Sequence, residues 1–327
     1  MGCMCGKESL HVENKRYFIR SRLGEGGFSY VDLVEESSTR KLFALKRLTC
    51  HSKEEENVAL QEVEIMRRIS HPNVVPLVGH MVVQVGHHSK TMDIVSEVFI
   101  VMPYYSRGSL QDLIDRHAQM SKVIPEGTIW AHFLGICKGV GALHHHSPPY
   151  AHRDLKPGNI MMMEDGTPVV MDLGSATVAR WTLSHSGKQQ LFRCEQYGLY
   201  FFLFTCDLAA ERCSMPYRPP ELFTVETNSS VDERTDIWSL GCTLYAMAYL
   251  ESPFDKVYQT GGSIALAAMA GKINFREGLR CSQDLREMIS WLMNVNPRDR
   301  PFIDQVIQKV ESLSSTAARP APEYNQC

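Results

Sequence analysis

The chain has 327 residues, enough to bury a substantial core and to divide into two lobes. Its formal net charge of -3 argues against general affinity for nucleic acid or acidic lipid. The 10 cysteines include no C-x-x-C pair, a usage that suits free thiols in a reducing compartment better than a disulfide framework or a zinc site.

Met1 to Arg22 contains no continuous apolar stretch, so no cleavable signal peptide is expected. The aromatic-rich run from Leu199 to Thr205 is far too short to span a bilayer, and the body of the protein is expected to be soluble. The first third predicts strands at Tyr17-Phe18-Ile19, Tyr30 to Val34 and Leu42 to Leu48, separated by glycine, serine and charge. A helix is predicted in ENVALQEVEIMRRIS. Strand-like runs return at Asn73 to Val85 and Asp93 to Met102, around the polar loop Gly86 to Thr91. From Ser109 onward the pattern is helical. Ile129, Phe133, Cys137 and Val140 recur at helical spacing, and DIWSLGCTLYAMAYL is apolar nearly all round, as a buried helix is. The tail from Ser314, SSTAARPAPEYNQC, has the composition of a disordered segment.

LGEGGFSYV places Gly24, Gly26 and Gly27 between two strands. Glycines let a backbone turn tightly and bring its N–H groups to a phosphate, although glycine-rich hairpins are common. Downstream, Lys46 of FALK could serve as a point charge for phosphate oxygens. In the following helix Val58, Glu62, Ile65 and Ile69 share one face, and a carboxylate within an apolar stripe is costly unless paired. Either Glu62 reaches solvent at the boundary, or it pairs with Lys46 and orients it. AHRDLKPGNI and VVMDLG then bring Asp154, Lys156, Asn159 and Asp172 close together in sequence. Asn159 and Asp172 are hard oxygen ligands suited to Mg²⁺, which commonly shares its coordination with substrate phosphates. Asp154 is then available to accept the proton of an attacking hydroxyl, and Lys156 to neutralise charge on a transferring phosphoryl group. The order of glycine loop, lysine, helix and acidic strings leaves little room for a chance cluster.

From about Tyr17 to Leu313 the chain resembles the eukaryotic protein kinases. The resemblance implies an α+β bilobal fold. A small antiparallel-sheet lobe with one helix would span 17–102, and a larger, mainly helical lobe 103–313. A segment 1–16 would precede them and a tail 314–327 follow. It implies that Leu23, Gly24, Glu25, Gly26, Gly27, Phe28, Ser29, Tyr30 and Val31 cover ATP, that Lys46 contacts its α/β-phosphates, and that Glu62 pairs with Lys46. Asp154 would be the catalytic base, and Asn159 and Asp172 the ligands of Mg²⁺ or Mn²⁺. Glu221 of RPPE would pair with Arg300 of NPRDRP, and Asp236 would brace the catalytic loop. Lys156 marks the serine/threonine form, and Ser214 stands where such enzymes place a Ser or Thr near the substrate hydroxyl. By the same resemblance, in FIVMPYYSRGSL Met102 would take the gatekeeper position, and the Pro103 carbonyl and the Tyr105 N–H and C=O would face adenine. Ser29 replaces the third glycine of the loop, Leu173 a phenylalanine, and Pro219 an alanine. A long activation segment contains LFRCEQYGLYFFLFTC. GLYFFLFT, if exposed, is an aggregation hazard. It could pack on the large lobe, bind a partner, or be an artefact of the coding sequence.

LGEGGFSYVDLVEE, the YAHRDLKPGNI–MDLGS pair and DERTDIWSLGC are most similar to the myristoylated and palmitoylated serine/threonine kinases of the Numb-associated kinase family. In MGCMCGK the resemblance points to myristoylation of Gly2. One such chain gives marginal, reversible membrane binding, so a second signal is needed, and Cys3 and Cys5 could carry palmitoyl groups. Gly6 stands where the acylation motif wants Ser or Thr, and Cys327 lies too near the end for prenylation. The expectation is a kinase on the cytoplasmic face of Golgi or perinuclear membranes and the plasma membrane, with a cytosolic pool. It would act on protein Ser/Thr hydroxyls and on itself, without nucleic acid. The rival is a lipid-anchored pseudokinase whose inserted segment blocks the substrate groove; a small-molecule kinase is disfavoured by the RPPE–DIWSLG–NPRDRP framework. His144-His145-His146 should point in different directions rather than bind metal. His87-His88 reads as solvated, and Cys137 and Cys242 as core. Arg153 could pair with a phosphorylated Thr182, Ser184 or Ser186.

Overall fold

The computed structural model describes residues 8–26, 29–85, 94–184, 191–193, 200–201, 213–223, 230–275 and 281–317. Gly2, Cys3, Cys5, Gly27, Phe28, the loop with His87-His88, Ser186 and the tail from residue 318 lie outside them. Two units emerge, the first comprising residues 1–106 with 172–174, the second 107–171 with 175–327.

Among the described residues the first unit is a six-stranded sheet with one helix. Its strands are β1 (Ser9–Val12), β2 (Lys15–Glu25), β3 (Ser29–Glu36), β4 (Leu42–Cys50), β5 (Gly79–Gln84) and β6 (Ser96–Pro103), in the order β1-β2-β3-β4-β6-β5. Every neighbouring pair is antiparallel. Val12, Tyr17, Val34, Leu45, Phe99 and Val101 form one core cluster. On β3 the period-two pattern buries Asp32 and Glu36 beside Val34, and the two carboxylates are matched by Arg22 at 2.5 Å and Lys15 at 3.3 Å. Helix α1 (Lys53–Arg68) is capped by Ser52 Oγ, which accepts from Glu55 N, and carries acids in its first turn and arginines in its last, matching the helix dipole at both ends. Two differences from the sequence reading have local causes. Only Gly79–Gln84 of the run Asn73 to Val85 is strand, because Pro72 and Pro76 lack the N–H that a ladder needs. Four residues of the N-terminal segment, Ser9–Val12, form β1, a strand too short for its alternation to show.

The second unit contains α2 (Leu110–Gln119), α3 (Glu126–His144), α4 (Arg234–Tyr249), α5 (Asp255–Gln259), α6 (Ile264–Ala270), α7 (Gln283–Leu292) and α8 (Ile303–Ala317). Helix α4 is buried from Thr235 to Tyr249, as its apolar circumference predicts. A Cβ on Gly241 would stand 2.5 Å from Met293 Cγ and 3.0 Å from Leu292 Cβ, so the close approach of α4 to the end of α7 requires glycine. Helix α8 continues past Leu313 to Ala317, into the region read as tail. Short antiparallel pairs join β7 (Tyr150–Ala151) to β10 (Thr177–Val178) and β8 (Ile160–Met162) to β9 (Pro168–Val170). A four-stranded sheet runs in the order β13 (Tyr200–Phe201), β12 (Leu191–Arg193), β11 (Trp181–Ser184) and β14 (Ser230–Val231). The described parts of the unusual Leu191 to Cys206 stretch are therefore paired strands; its remainder lies outside the described residues. Among the described residues no helix is long and apolar enough to cross a membrane.

Candidate active site

In the first unit, β4 sits inside the sheet, and Lys46 lies between Val31 of β3 and Ile100 of β6. Its ammonium Nζ donates to Glu62 Oε1 at 2.8 Å, to Glu62 Oε2 at 2.9 Å and to Asp172 Oδ1 at 2.7 Å. Glu62 is 2% exposed, so it is not the boundary residue of the blander sequence reading, whereas Asp172 is 42% exposed. Burial works against the charge on Lys46, but Asp172 and Glu62 together outweigh it and hold its pKa above the usual lysine range. Asp172 has φ 59°, a left-handed conformation that costs a residue other than glycine about 1–3 kcal/mol and tends to mark functional positions. A Cβ on Gly174 would lie 3.1 Å from Glu62 Oε2 and 3.6 Å from Lys46 Nζ, so a side chain there would press on the cluster.

The glycine-rich stretch is the β2–β3 hairpin. Gly24 pairs with Val31 and Glu25 with Tyr30, and Gly26 N donates to Ser29 O at 2.8 Å. Leu23, just before it, is exposed. Arg22 pairs with Asp32 and lies 4.3 Å over the Tyr30 ring, tying the two strands together beside the loop. At the end of β6, Met102 is buried and Pro103 pairs with Phe43. Burial pushes the Tyr105 hydroxyl up to about 12.

In the second unit, Asp154 is 8% exposed and both its oxygens are engaged. Oδ2 accepts from Lys156 Nζ at 2.9 Å and Asn159 Nδ2 at 3.0 Å, and Oδ1 accepts from Ser214 N at 2.8 Å. Lys156 Nζ also donates to Ser214 Oγ at 2.6 Å. Asn159 Nδ2 reaches the Asp154 carbonyl as well, at 2.8 Å, so Asn159 has Oδ1 to offer a cation. Asp236, fully buried on α4, accepts from His152 N at 2.7 Å and Arg153 N at 2.8 Å. Arg153 can thereby keep φ 67°. Burial alone would raise the pKa of Asp236, but His144, His152 and the Arg153 N–H outweigh it and hold the carboxyl below its usual range. Elsewhere in the unit, Arg300 makes a bidentate pair with Glu221, 2.7 Å on each arm, and also donates to the carbonyls of Asn294, Arg234 and Val295. The Arg153 guanidinium approaches the Val178 and Ala179 carbonyls; the side chains of Thr182 and Ser184 lie outside the described residues.

Three neighbours of this loop carry no signal in the sequence. His144 Nε2 lies 2.9 Å from Asp236 Oδ2 across 92 residues, His152 Nε2 reaches Met171 O at 2.9 Å, and Cys213 Sγ donates to Arg153 O at 2.6 Å. His145 and His146 turn elsewhere, to Asp304 and to Pro148 O. Cys137 and Cys242 are buried in the core. Among the described residues no group of three His, Cys, Asp or Glu side chains is placed to hold a metal ion. The carboxylate of Asp172 and the amide oxygen of Asn159 are each the hard donors that suit Mg²⁺, an ion that completes its shell with phosphate oxygens and water.

The protein kinase domain family matches residues 17–310. Serine/threonine-protein kinase 16 of Rattus norvegicus and that of Homo sapiens are each 38% identical to this chain over 315 residues, covering 96% of both partners in each comparison. Serine/threonine-protein kinase ENV7 of Saccharomyces cerevisiae is 30% identical over 371 residues, covering 96% of this chain and 97% of the relative.

Proposed function

The chain belongs to the protein kinase domain family, and we propose how its residues share the work of phosphoryl transfer. It is a protein serine/threonine kinase, in line with relatives of that name that match nearly all of its length, and the family implies ATP and a divalent metal ion as cofactors. In our reading Lys46, oriented by Glu62, binds the α/β-phosphates, and the β2–β3 hairpin from Leu23 to Val31 covers the nucleotide. Pro103 and Tyr105 take adenine. Asn159 and Asp172 hold the metal, assigned as Mg²⁺, which when bound neutralises charge on the phosphates. Asp154 takes the proton of the substrate hydroxyl as that oxygen bonds to the γ-phosphorus and the bond from that phosphorus to the β–γ bridging oxygen breaks, ADP leaving with the electron pair. Lys156, shared between Asp154 and Ser214, stabilises the charge that develops. Asp236 holds the loop, and Glu221 with Arg300 braces the segment before α4.

The observation that carries this reading is the assembled cluster in which Lys46 Nζ lies 2.8 Å from Glu62 and 2.7 Å from Asp172. A pseudokinase is not favoured, because Lys46, Asp154 and Asp172 are all present and the relatives are named as kinases. Intact-protein mass before and after incubation with Mg²⁺-ATP, with Asp172→Asn as control, tests it. Added phosphate in the wild type alone supports an active, self-phosphorylating kinase; no transfer to itself or to any protein substrate would refute the assignment.

We further assign the chain to the Numb-associated kinases, with Gly2 myristoylated, Cys3 and Cys5 palmitoylated, and the enzyme held on the cytoplasmic face of Golgi membranes. The sequence MGCMCGK and the motif resemblance support this. Gly2→Ala should move the protein from the membrane to the soluble fraction while leaving kinase activity intact; unchanged membrane partition would refute acylation at Gly2.

A further inference from the structure

Three glutamates open α1, Glu54, Glu55 and Glu56. Negative charge in a first turn favours the helix dipole by about 0.3–1 kcal/mol wherever it sits, including in water. Glu54 is exposed and Glu55 half-buried, which is sufficient for that purpose. Glu56 is 2% exposed, a burial that neither the dipole nor solubility requires and that is costly unless the carboxylate is matched. It is matched on two sides. Lys53, three residues back on the helix, makes an ion pair with Oε1, and Gln84 Nε2 on β5 donates to Oε2 at 3.1 Å. Lys53, Ser96 and Gln84 hold the Glu56 carboxyl down at about 2, so it is ionised at any working pH.

The route of these contacts is informative. Gln84 pairs with Ser96 across β5 and β6, Ser96 pairs with Cys50 across β6 and β4, and β4 is the strand that carries Lys46. The chain leaves β4 at Cys50, enters α1, and is fastened back to the same sheet at Glu56 before it reaches Glu62. Two buried carboxylates six positions apart therefore tie one helix to one sheet, and only the second meets Lys46.

We propose that Glu56 is a positioning residue for phosphoryl transfer: through Gln84 it clamps the first turn of α1 to β5 and so holds Glu62 where it meets Lys46. This rests on the reading of Lys46 and Glu62 as the pair that orients the phosphates. The clamp would then act within this unit, through a neutral amide and a buried carboxylate.

The test is a double-mutant cycle on the full chain, with kcat and KM for ATP measured well below each variant's melting temperature. Glu56→Ala should lower kcat/KM for ATP by about 10-fold and Gln84→Ala by about 3-fold, while in a Glu62→Gln background either change should cost less than about 2-fold. A merely structural role would give equal losses in both backgrounds, and that result would overturn the proposal. Gln84 is exposed, so Gln84→Ala keeps the test decisive should Glu56→Ala not fold; wild-type kinetics in Gln84→Ala would overturn the clamp. If Glu62→Gln alone left activity intact, the Lys46–Glu62 assignment would fall and the clamp with it. A normal loss in Glu62→Gln combined with additive losses sinks the clamp only.

Discussion

Glu62 on α1 and Asp236 on α4 are both buried carboxylates, yet they hold different kinds of partner. Glu62 meets the ammonium of Lys46, the end of a four-carbon stem that can move without disturbing the strand beneath it. Asp236 meets the backbone N–H groups of His152 and Arg153, and a peptide cannot leave its partner without the loop changing shape. The first contact defines a state of the first unit, and the second is part of how the other unit folds. A carboxylate paired with a side chain can therefore be used as a switch, whereas one paired with successive peptides works as a fixed support. Removing each should produce a different phenotype.

The largest effect should follow removal of the support. Asp236→Ala leaves two buried N–H groups and His144 without their acceptor, and losing one side of such a buried arrangement costs about 3–5 kcal/mol. Urea unfolding should show a loss of that size together with loss of kinase activity; a change below about 1 kcal/mol would mean that the loop holds itself. Glu62→Gln should behave oppositely. Its expected cost is about 30-fold in kcat/KM for ATP, about 2 kcal/mol of transition-state stabilisation, with a smaller loss of stability than in Asp236→Ala because Lys46 Nζ keeps Asp172 Oδ1 at 2.7 Å. Equal stability losses in the two variants would abolish the distinction between them.

The same contrast explains what could be read from the sequence. An acidic residue inside an apolar helical stripe is visible in a one-dimensional pattern, so the need for a partner at Glu62 could be anticipated. The pattern left open whether it reached solvent or met Lys46, and it was the motif resemblance that pointed to Lys46. The all-round apolarity of DIWSLGCTLYAMAYL likewise announces a buried helix. Periodicity reports which face of an element is buried, not which distant residue meets it. The approach of His144 to Asp236 and of Cys213 to the Arg153 carbonyl joins elements 92 and 60 residues apart, and no local pattern encodes that. Strand β1 is too short to display alternation. The pairing of β13 with β12 was hidden for another reason: Tyr200 and Phe201 belong to a run, GLYFFLFT, that looks hazardous when it is read without the strand that pairs with those two residues.

Acid sharpens the comparison more gently. The folded Asp236 carboxyl titrates below its ordinary range, so the unfolded chain takes up this proton first. Its contribution to stability is complete above the ordinary carboxyl pKa of about 3.9 and is lost as pH falls through the lower folded value. The difference in urea midpoint between wild type and Asp236→Asn should therefore narrow as pH drops from about 5 to 3. A difference constant over that window would show that the charge of Asp236 is not what holds the loop. Lys46 behaves in the opposite sense: its raised pKa keeps its contribution complete below the ordinary lysine value of about 10.4, to be lost only as pH rises through the folded one.

The smallest effect, and the most local, is at Cys213. Its thiol is 4% exposed and donates to the Arg153 carbonyl, and burial, with the charge of Asp154 beside it, pushes its pKa up to about 12. The thiolate is the reactive form, so alkylation at pH 8 followed by peptide-level mass spectrometry should leave Cys213 unlabelled in the native enzyme. Because the contact is made to the same loop that Asp236 supports, the thiol reports on that loop without reference to catalysis. Asp236→Asn should admit the label at a measurable rate under native conditions, and Glu62→Gln should protect Cys213 as fully as the wild type does. Labelling in Glu62→Gln at the rate seen in Asp236→Asn would mean that the two carboxylates govern one shared conformational equilibrium, and the separation between switch and support would have to be given up.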